Sequence, residues 1–231
     1  MKSNFLDRNL ALEAVRITEV AALASSIHMG RGNETIADQS AVNAMRSFLN
    51  NMPITGKIGI GEGERDQAPM LYIGEKVGKG GTKVDIALDP LEGTTITAKG
   101  GENALSVLAM GQEGSFLNSP DIYMSKIAYG NKYKDLEIDP EDDPINIINH
   151  FSKFSGIETE NVCVCILDRP RHKNLINKVR STGSRIKLIP DGDISAIIAT
   201  SIEDSGIDIY MGVGGSPEGV LAAAALSCIG G

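Results

Sequence analysis

The segment Asp89-Pro90-Leu91-Glu92-Gly93-Thr94 places two carboxylates and a hydroxyl directly after an apolar strand predicted over Lys83–Leu88. Pro90 is expected to stop the hydrogen bonding of the strand, and Gly93 permits a sharp turn that folds both carboxylates toward one point. Close carboxylates repel each other unless a cation lies between them, and Mg²⁺ and Mn²⁺ prefer such oxygen ligands. The segment predicts a divalent-metal site. An acidic turn with Thr94 capping a helix is the open alternative.

Other predicted strands are also followed by groups that could bind a ligand. In open α/β sheets, ligands bind beyond the carboxyl ends of the strands. The groups are Glu62 and Glu64 after Lys57–Ile60, Arg169 and Arg171 after Val162–Leu167, Asp191 and Asp193 after Arg185–Ile189, and Gly214, Gly215, Ser216 and Glu218 after Ile207–Met211. Polar loops are common, so one strand end decides little. The joint pattern predicts an active site at the carboxyl edge of a sheet.

Two of these segments favour an anionic ligand. Arg169-Pro170-Arg171 lies where a helix is predicted to begin, and cations there oppose the helix dipole, so an anion is favoured over a plain surface turn. Gly214-Gly215-Ser216-Pro217 opens the last predicted helix, where backbone N–H groups suit a phosphate. Glu218 is either a metal ligand or an acid favoured by the dipole. Together the groups predict metal-assisted phosphate hydrolysis, in which two cations clamp the reacting oxygens.

Other classes of site have little support. The chain has neither a G-x-x-x-x-G-K-[ST] phosphate loop nor a G-x-G-x-x-G dinucleotide fingerprint. Its three histidines, His28, His150 and His172, share no metal-ligand spacing. The formal net charge of −8 argues against a general nucleic-acid binder. Since no run of about 18 apolar residues occurs, no membrane span is expected. The sparse cysteines, Cys163, Cys165 and Cys228, suggest a reducing compartment, and a cytoplasmic location is predicted.

Apolar periodicity predicts the elements that must position these groups. Helices are predicted over 10–29 and 38–50, and a further strand over 105–110. From about residue 160, strands alternate with helices, which indicates a largely parallel sheet covered by helices. The polar segment 130–144 is predicted as a linker or long surface loop. We therefore expect an α/β protein with an α+β domain over 1–156 and an α/β domain over 157–231.

Longer strings of residues resemble one family. The Asp89–Thr94 segment resembles the signature of the lithium-sensitive, metal-dependent sugar and inositol phosphatases. More specific strings resemble the class II, GlpX-type fructose-1,6-bisphosphatases, and the resemblance runs from about residue 5 to residue 231. These strings are Asn43–Arg46 (NAMR), Gly61–Tyr72 (GEGERDQAPMLY), Arg169–His172 (RPRH), Pro190–Asp193 (PDGD) and Gly214–Val220 (GGSPEGV).

The resemblance implies a layered α-β-α-β-α fold and hydrolysis of the 1-phosphate of fructose 1,6-bisphosphate, a gluconeogenic step, with Mn²⁺ or Mg²⁺. Carried over by motif, the metal ligands are Asp38, Glu62, Asp89, Glu92 and Glu218. Thr94 positions the attacking water and Asp66 assists catalysis. The sugar and its remote phosphate are held by Glu92, Gly93, Thr94, Tyr123, Arg169, Pro170, Arg171, Asp191, Gly192, Asp193 and Gly215. A homo-oligomer is also expected.

Two departures from the family pattern support a catalytically silent alternative, beside the other phosphatase specificities that stay open. Glu34 stands where the family usually has a lysine, a charge reversal near a phosphate site. Family members also continue beyond the Gly-Gly that ends this sequence, so the C-terminal part is expected to be truncated. The alternatives are a phosphatase for inositol phosphates or sedoheptulose 1,7-bisphosphate, and a catalytically silent remnant that binds only metal or a partner subunit.

Overall fold

The computed structural model describes residues 5–63 and 70–231. The chain divides into two compact units, Met1–Pro120 and Asp121–Gly231. Each unit contains one mixed four-stranded sheet with helices packed on it. The predicted mixed α/β class is therefore confirmed.

The first unit is built on a sheet with the strand order β2-β1-β3-β4. β1 and β3 are parallel, while β2 and β4 pair antiparallel at the two edges. The elements are α1 (Phe5–Ser26), α2 (Glu34–Leu49), β1 (Ile54–Ile60), β2 (Lys76–Val77), β3 (Thr82–Glu92), α3 (Thr94–Lys99) and β4 (Leu105–Gly111). α1 packs on α2, β3 and β4, and α2 also packs on β3.

Helix α2 shows how the sequence fixes the first core. Four of its five buried residues recur every four positions along one face, and the fifth, Val42, follows one of them; the four are Ala37, Ala41, Met45 and Leu49. Asn33 caps the helix, since its side chain accepts a hydrogen bond from Ile36 N at 3.0 Å. Glu34 is exposed in the first turn, where a carboxylate is favoured by the helix dipole. The departure from the family pattern at Glu34 thus has a simple role in helix stability.

The second unit is built on a sheet with the strand order β5-β8-β6-β7. The pairs β6/β7 and β6/β8 are parallel, as the alternation of strands and helices predicted, and β5 pairs antiparallel with β8. The elements are β5 (Tyr123–Tyr129), α4 (Pro144–Ser155), β6 (Cys163–Leu167), α5 (Lys173–Ser181), β7 (Arg185–Ile189), α6 (Asp193–Ala199), β8 (Ile209–Gly215) and α7 (Ser216–Ile229).

Strand β6 runs through the centre of the second unit, and all of its residues are buried. A strand covered on both faces needs a continuous apolar run, which the sequence of β6 supplies. One core holds residues of α4 and α5 with Val164 and Ile166. The other holds residues of α6 and α7 with Cys165. Cys163 and Cys165 are buried free thiols, as their strand spacing suggested.

The segment 130–144 is not a linker between the units. Tyr133 and Leu136 are buried in the core of the second unit, and Asp143 caps α4 by accepting a hydrogen bond from Ile145 N at 3.0 Å. β5, which the sequence analysis did not identify, pairs with β8 along its whole length. Residues 121–156 therefore pack with the second unit, whereas the sequence analysis placed them in a domain over 1–156.

The last helix, α7, covers one side of the second sheet. Val220, Leu221 and Ala222 are buried against the unit, whereas Ile229 is 48% exposed. No helix among the described residues is long and apolar enough to cross a membrane.

Candidate functional site

The carboxylates Asp89 and Glu92 lie at the end of β3, inside the strand rather than after it. β3 continues to Glu92, with Asp89 opposite Val107 and Glu92 opposite Leu105 of β4. Because β3 continues to Glu92, the expectation that the strand ends at Leu88 is wrong. The pairing register with β4 shifts between Asp89 and Glu92. A local irregularity of this kind is where proline is tolerated in a sheet. The pairing with β4 holds the backbone that carries the two carboxylates.

Gly93 turns the chain from β3 into α3. Its φ of 89° lies in the left-handed region that favours glycine, and it is the N-cap of the helix without a side-chain capping bond. Thr94 is the first residue of the helix and is half-buried. The alternative in which the Thr94 hydroxyl caps the helix is therefore wrong. The Thr94 hydroxyl is therefore not committed to capping this helix.

Glu62 lies near two other predicted ligands of the first unit. It follows β1, while Asp38 projects from α2 and Asp89 from β3. Burial, then the charges of Asp38 and Asp89, raise the pKa of Glu62 from its usual range to about 8. Burial also raises the pKa of Asp38. Asp38, Glu62 and Asp89 are therefore carboxylates that repel one another in a partly buried environment.

The carboxylates are close enough to repel but have not converged on one point. In residues 5–63 and 70–231, no three histidine, cysteine, aspartate or glutamate side chains are arranged to hold a metal ion. The predicted catalytic residue Asp66, like Glu64, lies outside the described residues.

The second unit brings its predicted residues to the carboxyl ends of β6, β7 and β8. These strands are parallel, so their ends meet at one edge of the sheet. Arg169 Nη2 lies 3.5 Å from Asp191 Oδ1, and both side chains are about one-third exposed. Pro170 begins a short 3₁₀ helix, Pro170–His172, that leads into α5. The basic pair therefore lies just before the first turn of α5.

Arg171 is held in place by two contacts. Its Nε donates to Val213 O at 2.8 Å, and its guanidinium lies 4.6 Å from the ring centroid of Tyr123. Tyr123 is 64% exposed and pairs with Gly215 across β5 and β8. A cation on an aromatic face is stabilised there. Neither contact uses the two Nη groups of Arg171, which suit a phosphate.

His172, the residue after Arg171, connects the ends of β6 and β8 through hydrogen bonds of its two ring nitrogens. Its Nδ1 lies 2.7 Å from Leu167 O, and its Nε2 lies 2.8 Å from the backbone nitrogen of Val213. Nδ1 therefore donates and Nε2 accepts, which defines the neutral tautomer. His172 is a structural histidine, as the sequence suggested. Its bond to Val213 steadies the residue whose carbonyl holds Arg171.

Glu218 folds back over Gly215 at the start of α7. A Cβ on Gly215 would fall on Glu218 Oε2 and lie 2.9 Å from its Cδ, so only glycine allows this placement. Oε2 is buried and accepts no hydrogen bond within the part of the chain that the structure describes. Burial raises the pKa of Glu218, although the charge of Lys126 opposes this. A buried carboxylate oxygen without a donor fits a cation.

The backbone before α7 is less available to a phosphate than the sequence indicated. Gly214 and Gly215 belong to β8 and pair with Met124 and Tyr123. Ser216 N donates to Ile122 O at 2.8 Å. The strand predicted over Ile207–Met211 therefore extends to Gly215, and part of the N–H groups are used within the unit.

Comparison with known proteins decides the family. The family model described as "Bacterial fructose-1,6-bisphosphatase, glpX-encoded" matches residues 8–231. The chain is 49% identical over 228 residues to fructose-1,6-bisphosphatase 1 class 2 of Escherichia coli (strain K12) and to fructose-1,6-bisphosphatase class 2 of Shigella flexneri. Each alignment covers 97% of this chain and 67% of the relative. The chain belongs to the bacterial class 2 fructose-1,6-bisphosphatase family.

Within this class 2 family member, Asp193 has an internal partner. It is the first residue of α6 and is only 5% exposed. Its Oδ2 lies 2.6 Å from Lys126 Nζ and 3.4 Å from the hydroxyl of Tyr210. Burial and the charge of Asp193 raise the pKa of Tyr210. The resemblance gave Asp193 a contact with the sugar, whereas the structure shows a buried ion pair.

Sequence reasoning missed Lys126 altogether. It lies in β5, a strand whose first residues, Tyr123 and Met124, are exposed, so no apolar alternation marks the element. Lys126 is 7% exposed and adds the positive charge beside Asp193 and Glu218. The sequence carried no signal for its burial, because the carboxylate that pairs with it is 67 residues away along the chain.

Proposed function

We propose that this chain hydrolyses the 1-phosphate of D-fructose 1,6-bisphosphate to fructose 6-phosphate and phosphate, as a gluconeogenic enzyme. The observation that carries the proposal is the family match over residues 8–231. The grouping of Asp38 and Asp89 around Glu62 supports a phosphatase site in the first unit. The paired cations Arg169 and Arg171 support a substrate with a second anionic group.

The proposed cofactor is Mn²⁺ or Mg²⁺. The carboxylates that the resemblance assigns as metal ligands are Asp38, Glu62, Asp89, Glu92 and Glu218. Their all-oxygen chemistry fits hard cations, since a cation beside Glu62 would relieve the repulsion there and a cation beside Glu218 would satisfy its Oε2. A divalent cation acts as a Lewis acid toward a phosphoryl group and promotes ionisation of water.

The remaining residues would orient the reacting groups. Thr94, a half-buried residue two positions after Glu92, would hold the attacking water, and Gly93 sets the turn between them. Asp66 remains the proposed assisting acid or base. Holding the water in line with the phosphorus lowers the entropic barrier to attack.

The sugar and its remote phosphate would bind at the edge formed by β6, β7 and β8. Arg171, stacked on Tyr123, would bind the phosphate through its Nη groups. The sugar site would be completed by Arg169, Pro170, Asp191, Gly192 and Gly215. Asp193 would support this site through its ion pair with Lys126. Since this phosphate does not react, it is bound alike in the ground and transition states.

We expect Arg171→Ala to raise KM for fructose 1,6-bisphosphate by tenfold or more while kcat falls less than threefold. The reason is that uniform binding energy appears in KM. Initial rates over a range of substrate concentrations at saturating Mn²⁺ measure both constants. Arg180→Ala, an exposed arginine at the end of α5, serves as the control and should leave both unchanged. A fall in kcat with KM unmoved would place Arg171 at the reacting phosphate instead.

We expect exhaustive chelation to abolish phosphate release and added Mn²⁺ or Mg²⁺ to restore it. Phosphate is measured with fructose 1,6-bisphosphate, sedoheptulose 1,7-bisphosphate and inositol phosphates as substrates. Turnover that survives chelation would refute the metal role. The strongest activity on another substrate would reassign the specificity, and no release with any of them would favour a silent metal-binding protein.

The proposal also includes a cytoplasmic location and a homo-oligomer. The free cysteines support a reducing compartment. β5 and β7 are the outer strands of the second sheet, and an unpaired edge can associate with another copy. Light scattering of the purified chain measures the oligomeric state.

A further inference from the structure

Glu75 is a buried carboxylate with partners from two elements. It is 5% exposed and lies just before β2. Its Oε1 accepts from Arg46 Nε of α2 at 2.7 Å, and its Oε2 accepts from Leu71 N. Its backbone carbonyl accepts from Ile58 N of β1 at 2.9 Å. One residue therefore joins α2, β1 and the segment that contains Leu71.

Leu71 passes this connection on to Glu62. Its side chain is fully buried in the first core, and its φ of 54° is unusual for a residue other than glycine. Its carbonyl accepts from Glu62 N at 3.1 Å. The peptide units of Leu71 are thus bonded to Glu75 on the N–H side and to Glu62 on the C=O side. Its unfavourable backbone conformation is maintained by these bonds and by burial.

Helix α2 contributes both to the repulsion at Glu62 and to the bonds that oppose it. α2 holds Asp38, whose charge raises the pKa of Glu62, and it holds Arg46, which binds Glu75. Electrostatic repulsion favours moving Glu62 away from Asp38. The chain of bonds from Arg46 through Glu75 and Leu71 opposes that movement.

We infer that Arg46 and Glu75 are positioning residues that hold Glu62 beside Asp38 for metal binding. The inference rests on the proposed function, in which Glu62 and Asp38 are metal ligands. Arg46 belongs to the Asn43–Arg46 string, to which the proposed reaction otherwise assigns no role. A pre-formed ligand set lowers the entropic cost of binding a cation, so the connection acts on metal affinity.

A purely structural role for the Arg46–Glu75 pair would consist of a contribution to the free energy of folding. Buried ion pairs contribute little net stability, because the desolvation of the charges offsets their attraction. Arg46 is partly exposed, at 39% of its side chain, while the side chain of Glu75 is 6% exposed. The geometry of the Glu75 carboxylate, which accepts from Arg46 and Leu71 at once, is therefore the feature to perturb.

The test measures Mn²⁺ binding by calorimetry and Mn²⁺ activation of phosphate release in Glu75→Gln, Arg46→Gln and Arg46→Lys. The amide of Glu75→Gln keeps one acceptor oxygen and loses the charge and the second acceptor. We expect both Gln variants to bind Mn²⁺ at least tenfold more weakly, with kcat at saturating Mn²⁺ within threefold of the parent. Arg46→Lys keeps the charge and should recover part of the affinity.

Two controls separate positioning from general destabilisation. Ile17→Ala creates a cavity in the first core from α1, which does not carry the connection, and should lower the melting temperature without shifting Mn²⁺ affinity. Asp143→Asn breaks the exposed Lys178–Asp143 pair of the second unit and should not change affinity.

The outcomes distinguish this inference from the proposed function. Parental affinity in Glu75→Gln or in Arg46→Gln would overturn the inference while leaving the metal-dependent reaction intact. An equal loss in Ile17→Ala would also overturn it. Should Glu75→Gln not fold, the two Arg46 variants decide. A parent chain that neither binds Mn²⁺ nor releases phosphate would overturn the proposed function, and the inference with it.

Discussion

Asp89→Asn is expected to reduce kcat by a hundredfold or more, equivalent to about 2.7 kcal/mol or more of lost transition-state stabilisation. Asparagine keeps the shape of the side chain and its acceptor oxygen, so the hydrogen bond from Leu91 N to Oδ1, 3.0 Å in the parent, can persist. What disappears is one ligand charge beside Glu62. Initial rates at saturating Mn²⁺ and substrate measure the effect.

The fold should survive this substitution. Asp89 raises the pKa of Glu62, so its removal relieves repulsion, and the metal-free melting temperature should be unchanged or higher. The rise in melting temperature caused by Mn²⁺ should shrink. Asp85→Asn, on the same strand but bonded to Gly114 N at 2.7 Å, is the matched control and should keep activity. Near-parental turnover in Asp89→Asn would contradict the ligand assignment.

Regular elements were predictable where burial follows a period. β6 is apolar throughout because both of its faces are covered, and α2 repeats buried residues every four positions. β5 was missed because its first residues are exposed and its buried Lys126 breaks the apolar pattern. Once β5 was missed, the polar segment 130–144 was interpreted as a linker or a long surface loop. Only the tertiary pairing of β5 with β8 shows where residues 121–156 belong.

The sequence supported predictions about the kinds of ligand at the site but not about the contacts of its residues. Spacing alone indicated metal at Asp89 and Glu92 and an anion at Arg169 and Arg171. It could not show that β3 continues past Pro90, because a bulge depends on the partner strand β4. It also could not show that Asp193 pairs with Lys126, since 67 residues separate them along the chain. Partners distant in sequence leave no mark in local spacing.

Gly215→Ala is expected to reduce kcat by about a hundredfold or more, although residue 215 has no side chain to lose. Its φ of −58° and ψ of 137° suit alanine, so no backbone strain arises. The new Cβ would occupy the space of Glu218 Oε2, and the carboxylate must move. If Glu218 is a metal ligand, Mn²⁺ affinity and turnover should fall together. Calorimetry and initial rates measure the two effects.

A double-mutant cycle isolates the cause. If the methyl group acts by displacing Glu218, then Gly215→Ala should have little further effect in a Glu218→Ala background, because the displaced carboxylate is already absent. Gly59→Ala on β1 is the control for a glycine replaced within a strand, since its Cβ would meet only Ile86 O at an ordinary 3.7 Å. Additive losses from Gly215→Ala and Glu218→Ala would show that Gly215→Ala does not act by displacing Glu218. Full activity in Gly215→Ala would remove Glu218 from the metal site, because no space remains for its carboxylate where it now lies.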